Sequence, residues 1–213
     1  MNLVKIKAIF EGGVRDRIIR SDTNYCNINK TISIVDKWKE DGFSVVFTAG
    51  VFDIFTINHL LGLYHYKLLY GRKTKLIVSI DTDLRVSKSK SFVKSKGNTI
   101  KPILSWNSRA LMVAKQSMEG CQNLVDLILQ HGRDTCGGIS CSHDDNVNIA
   151  ESIIPDAIIV TSTSIETIKM LETSSKIEKS KIFVINENDL TYYDDLLGEK
   201  ISNTAIIQRI KNG

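Results

Sequence analysis

From about residue 33 onward the chain alternates short apolar runs with segments whose apolar positions recur every three or four residues. That alternation marks strands and helices in turn, and such an order builds a parallel sheet with helices packed on its faces. Ile34, Val35 and Trp38 share one helical face, and Gly42 can close that helix. Val45, Val46 and Phe47 follow without interruption, as expected of a strand buried on both faces. Leu60, Leu61, Leu63, Tyr64, Leu68 and Leu69 give a second helix ended by Gly71, and residues 75–80 give a second strand. A lysine-rich connection without clear periodicity then runs over residues 81–102. The pattern continues with a helix at 108–118, a strand at 125–129, a polar excursion at 131–146 and a short helix at 149–154 before Pro155. A strand at 157–160, a helix at 164–171 and a strand at 182–185 complete the alternation, and a polar N-cap cluster after Ile201 opens an amphipathic helix ending near Ile210. The expectation is a Rossmann-like, doubly wound parallel α/β sheet of about five strands. Residues 1–30 stand outside it as an N-terminal extension, with 3–10 able to add an edge strand, and residues 31–213 form one domain.

A chain of 213 residues can bury a full core. Its 28 basic and 24 acidic residues leave a formal charge of +4, too slight an excess to imply a nucleic-acid partner. The basic residues do gather locally at Lys88, Lys90, Lys94, Lys96 and Lys101. No apolar stretch approaches the roughly 20 residues that span a bilayer. The first residues lack the unbroken apolar core of a signal peptide, so a cytoplasmic protein without a membrane partner is expected. Four cysteines, Cys26, Cys121, Cys136 and Cys141, fit reduced thiols. Cys136, Cys141 and His143, with His131 nearby, follow no zinc spacing, and no protein-held metal is expected there. A dinucleotide oxidoreductase is disfavoured because no GxGxxG follows any strand.

The chemistry concentrates in residues 50–59. Gly50, Val51, Phe52 and Asp53 form a turn after the first strand, and Thr56, Asn58 and His59 stand in the first turn of the helix that follows. A helix start offers unpaired N–H groups and the positive end of the helix dipole, which suits a phosphate. A nucleoside triphosphate is the ligand that this arrangement suits.

Thr56, Asn58 and His59 match the (H/T)xGH turn of the cytidylyltransferase-like nucleotidyltransferase superfamily, with Asn58 where glycine is usual. Ser202, Asn203 and Thr204 match the serine-threonine motif that opens its last helix. Residues 37–42 before 45–48, then Lys96 and Gly97 before Lys101, Pro102, Ile103 and Arg109, most resemble the adenylyltransferase domain of bifunctional ADP-heptose synthases. Choline-phosphate and glycerol-3-phosphate cytidylyltransferases are similar too, across residues 199–210. The Lys88, Ser89, Lys90, Ser91 run follows the second strand instead of closing the fold, which argues against an aminoacyl-tRNA synthetase fragment.

The resemblance implies a magnesium-dependent nucleotidyltransferase in which a phosphate monoester oxygen attacks the α-phosphorus in line and pyrophosphate leaves. His59 would donate to the α-phosphate and Thr56 would assist, while Lys88 and Lys90 would hold the triphosphate and the acceptor phosphate. Gly50, Val51, Phe52, Asp53, Arg109, Lys200, Ser202, Asn203 and Thr204 would bind the nucleotide, and Asp83 the acceptor. ATP is favoured over CTP, a sugar 1-phosphate is the expected kind of acceptor, and a homodimer is the expected assembly. This chain departs from the heptose family after the fourth strand, where a V-K-G-G-D-Y segment is replaced by Val160, Thr161, Ser162, Thr163, Ser164 and Ile165. The arginine that cytidylyltransferases place before the serine motif is also missing, leaving Lys200 as a point charge. Two alternatives stay open: a nucleotide-binding regulatory protein on the same scaffold, and a cytidylyltransferase acting on an alcohol phosphate.

Overall fold

The structure is a computed structural model that describes residues 14–19, 21–22, 25–26, 28–88, 102–118, 120, 122–132, 144–186, 193–194 and 199–200. Its strands are β1 (Ile18–Ile19), β2 (Ser21–Asp22), β3 (Tyr25–Cys26), β4 (Ser44–Gly50), β5 (Thr74–Asp81), β6 (Leu127–His131), β7 (Ala157–Thr161), β8 (Ile182–Ile185), β9 (Tyr193–Asp194) and β10 (Glu199–Lys200). The α-helices are α1 (Ile28–Glu40), α2 (Ile57–Lys67), α3 (Asp83–Lys88), α4 (Trp106–Ala114), α5 (Asp144–Ile153) and α6 (Ile165–Thr173).

Six strands form one parallel sheet in the order β1-β6-β5-β4-β7-β8. It is a Rossmann-like α/β fold. Alternation along the strands divides the core in two. Val46, Leu76, Val78, Ile80 and Ile159 face α2 and α4, which contribute Leu63, Tyr66, Trp106, Ala110 and Val113. Val45, Phe47, Ile77, Leu127 and Ile158 point to the other side, where Val35 of α1, Val147 and Ala150 of α5 and Leu171 of α6 cover them. Because both faces are buried, the middles of β4 and β5, residues 45–47 and 76–78, are apolar without a break.

Gly42 ends α1 as the sequence suggests. At φ +77° it lets its own N–H reach Lys39 O at 2.9 Å and the N–H of Phe43 reach Trp38 O at 2.9 Å, a paired C-terminal cap that aims the chain into β4. Two carboxylates organise the opposite, N-terminal ends of the strands. Asp156 accepts from Val45 N at 2.8 Å, and Asp126 accepts from Leu76 N at 2.9 Å while pairing with Lys67 and Lys75. These contacts hold strand starts in register and lie at the far end of the sheet from residues 50–59.

Two expectations change. Residues 14–19 lie within the segment read as an extension, yet Ile18–Ile19 pair in parallel with Ile128 and Leu129, Val14 is buried, and Arg17 donates to Val125 O and Ala114 O. Residues 3–10 lie outside the described residues. The lysine-rich connection, read as aperiodic, opens with a helix, α3, whose buried Arg85 and Val86 pack inward. Among the described residues no helix is long and apolar enough to cross a membrane.

Candidate functional site at the switch point

In the sheet order, β4 lies between β5, reached by one crossover, and β7, reached from the other side. Open parallel sheets bind ligands in the crevice outside the strand C-termini where the winding reverses. Here that position is at the C-terminal ends of β4 and β7, where residues 50–56 follow one strand and residues 161–164 the other. At the end of β7 hydroxyls gather: Thr161 Oγ1 lies 3.1 Å from Thr163 Oγ1 and 3.2 Å from Ser164 Oγ, and Ser162 N–H donates to Ile185 O at 2.8 Å.

The turn after β4 is tightly specified. Phe52 adopts φ +52°, a left-handed conformation that costs a bulky residue of order 1 kcal/mol, and is held there by burial of its ring. The ring lies over Gly50, where an added Cβ would meet Phe52 Cε2 at 2.9 Å. Gly50 is therefore needed for space. Gly50→Ala should displace the ring and destabilise the protein by about 1–3 kcal/mol, measured as a lower urea midpoint.

Thr56 is the N-cap of α2 and His59 is its third residue. Thr56 N–H donates to His59 Nδ1 at 3.0 Å, and Thr56 Oγ1 lies 3.0 Å from the same nitrogen. A ring nitrogen that accepts an N–H carries a lone pair, so neutral His59 bears its proton on Nε2 and can donate from there. Burial lowers the His59 pKa below the ordinary 6.5. The unfolded chain thus takes up this proton at higher pH than the folded one. The stability from neutral His59 is fully present above about pH 6.5 and is lost as pH falls from there toward the folded value. Urea midpoints at pH 7.5 and 5.5 should show this loss, and His59→Asn should make it smaller.

Asp53 and Arg109 tie the turn to its surroundings. Asp53 uses both carboxylate oxygens, Oδ2 accepting from Ile103 N and Oδ1 from Leu104 N, each at 2.9 Å. Arg109, expected to meet phosphate, is fully buried in α4 and donates to four protein acceptors: Leu104 O at 3.1 Å, Asp81 O and Asp83 Oδ1 at 2.7 Å, and Val51 O. Its guanidinium fastens the β4 turn to the end of β5. Asp83, expected at the acceptor, pairs with that arginine and leaves its side chain 44% exposed.

The structure therefore brings Gly50, Val51, Phe52, Asp53, Thr56, His59, Asp83 and Arg109 to one end of the sheet. Lys88 ends α3, but its side chain is not described, and Lys200 is described only as a backbone position in β10. Lys90, Ser202, Asn203 and Thr204 lie outside the described residues. Phe55 was missed in the sequence. Its ring centroid lies 5.6 Å from that of His59 and 6.4 Å from that of Phe52, and Phe52 is 5.3 Å from His59. The signal lay in the aromatic positions i−4 and i−7 to the histidine, though spacing across a turn does not reveal ring contact.

Comparison with known proteins adds a partial likeness. Over 121 residues, 57% of its length, this sequence is 28% identical to the bifunctional protein HldE of Paramagnetospirillum magneticum. The chain is similar to HldE. The matched region spans 22% of HldE, so this chain covers less than a quarter of that protein. The likeness agrees with the motif-based resemblance to bifunctional ADP-heptose synthases. At a coarse level it relates the chain to nucleotidyltransferases. No family model matches the chain.

Proposed function

We propose that the protein is a nucleotidyltransferase that moves a nucleoside monophosphate from a nucleoside triphosphate, ATP before CTP, to a phosphorylated small molecule such as a sugar 1-phosphate. The observation that carries this reading is the Thr56 N–H to His59 Nδ1 bond at the start of α2, beside the switch-point crevice. It leaves an Nε2–H donor on a helix N-terminus, where the helix dipole already favours an anion.

The acceptor's phosphate oxygen forms a bond to the α-phosphorus as the bond to the bridging oxygen of pyrophosphate breaks, so negative charge shifts onto the departing oxygens. Catalysis then consists of alignment and charge stabilisation with no covalent enzyme intermediate. His59 donates a hydrogen bond to the α-phosphate as that charge moves. Thr56 fixes the ring, and the Gly50 to Asp53 turn gives the phosphates a close backbone approach. Because Arg109 is engaged inside the protein, cationic neutralisation falls to Lys88, Lys90 and Lys200, with Ser202, Asn203 and Thr204 receiving the β- and γ-phosphates. Magnesium enters as the nucleotide's own ion. Both oxygens of Asp53 already hold backbone amides.

The acceptor and base are named by a pyrophosphate-release screen crossing the four nucleoside triphosphates with sugar phosphates, phosphocholine, phosphoethanolamine and glycerol 3-phosphate. Release with one pair supports the proposal, and a CTP and alcohol-phosphate pair would redirect its substrate. The internal engagement of Arg109 favours one second reading, a nucleotide-binding regulatory protein. Tight nucleotide binding without pyrophosphate across the whole screen would select it.

A further inference from the structure

We infer that Phe55 is a positioning residue which, with Phe52, packs beside the His59 imidazole so that Thr56 N–H meets Nδ1 and the donor proton stays on Nε2. This rests on the reading of His59 as a phosphate donor and gives that reading a structural cause.

The three rings form a closed triangle. Phe55 lies nearly parallel to the imidazole, at 28° and 5.6 Å, and Phe52 meets it at 52° and 5.3 Å. Phe52 and Phe55 also stack on each other at 26° and 6.4 Å. An imidazole can turn half-way round about its Cβ–Cγ bond, which exchanges the places of nitrogen and carbon and would take Nδ1 away from Thr56 N–H. Two flat groups packed beside the ring restrict that turn, and the Thr56 N–H selects the surviving orientation. Neither phenyl carries a nitrogen or oxygen donor or acceptor, so the device restricts orientation without a conventional hydrogen bond to Nε2. Phe52 is buried in the main core and is built into the strained turn, whereas Phe55 is partly buried and only packs against that core. Phe55 is therefore the member that can be changed with the fold kept.

The test is nitrogen NMR of the full chain labelled with ¹⁵N-histidine, without ligand, at pH 7.5, with the His59 signals assigned by their loss in His59→Gln. In the parent and in Phe55→Tyr, which keeps the ring, His59 should show an unprotonated Nδ1 and a protonated Nε2. In Phe55→Ala the two tautomers should mix, and turnover should fall about tenfold with the nucleotide KM little changed, as a misplaced group acts on the chemical step. Phe55→Leu keeps apolar bulk without the flat face and should show the same mixing, so the comparison survives if the alanine variant does not fold. A pure parental pattern in folded Phe55→Ala or Phe55→Leu overturns the inference, since a merely packed phenylalanine would change stability and leave the tautomer alone. The spectra need no reaction, so a chain that never released pyrophosphate would refute the proposed function without touching this result.

Discussion

His59→Ala should lower pyrophosphate release by ~10²–10³-fold, with the nucleotide still binding. The magnitude is that of removing one pre-aimed donor from a site where charge develops in the transition state. Neither Thr56 nor Asp53 can replace it. Thr56 Oγ1 lies against Nδ1, on the far side of the ring from the donor, and both Asp53 oxygens are acceptors for Ile103 and Leu104 amides. The substitution removes a partly buried ring from the first turn of α2, leaving Leu63 and Tyr66 to hold that helix on the core, so the fold is retained. Circular dichroism and steady-state kinetics on the same sample separate the two effects. Unchanged turnover in a folded variant would remove His59 from the chemistry.

Arg109→Met should destabilise the protein by about 3–5 kcal/mol, the cost of breaking a buried charged network by removing one member. Methionine fills much of the space but donates nothing. The carbonyls of Val51, Leu104 and Asp81 lose a donor, and each buried acceptor left unpaired costs about 1–3 kcal/mol before relaxation. Asp83 contributes less to this loss, because its side chain is 44% exposed and regains water. Arg109→Lys keeps the charge and should restore little, since one ammonium cannot reach acceptors spread around a planar fork. Urea unfolding reads both variants, and a lysine variant as stable as the parent would contradict the account. Because Val51 belongs to the phosphate-side turn, a folded Arg109 variant should also show a raised nucleotide KM.

The central strands were readable because they are buried on both faces. Residues 45–47 and 76–78 contain no polar residue, so these apolar runs mark β4 and β5. β1 escaped notice because Ile18 and Ile19 are a two-residue run after a charged segment, too short for any periodicity, and they join the sheet only through Ile128 and Leu129 more than a hundred residues away. α3 was hidden for a similar reason: it is six residues long and polar apart from Leu84 and Val86.

At the site, local chemistry was legible and long-range partnership was not. A histidine three residues after a threonine N-cap is a local relation, and the Thr56 to His59 bond realises it. Arg109 has its partners 5, 26, 28 and 58 residues away in sequence. A motif can mark such an arginine, but only the fold shows that it meets carbonyls of the turn. Asp53 is alike, its amide partners lying 50 and 51 residues onward at the entrance to α4.

The proposed reaction cleaves a nucleoside triphosphate at its α-phosphorus and transfers the nucleoside monophosphate at this switch point. Phosphorus-31 NMR of the unaltered protein with magnesium, ATP and a sugar 1-phosphate follows every phosphorus in the reaction. Inorganic pyrophosphate and a disubstituted diphosphate joining the adenosine and sugar phosphates should grow equally. Hydrolysis to free ADP and phosphate, or nucleotide signals that broaden on binding yet never convert with any triphosphate and acceptor pair, would contradict the proposed reaction.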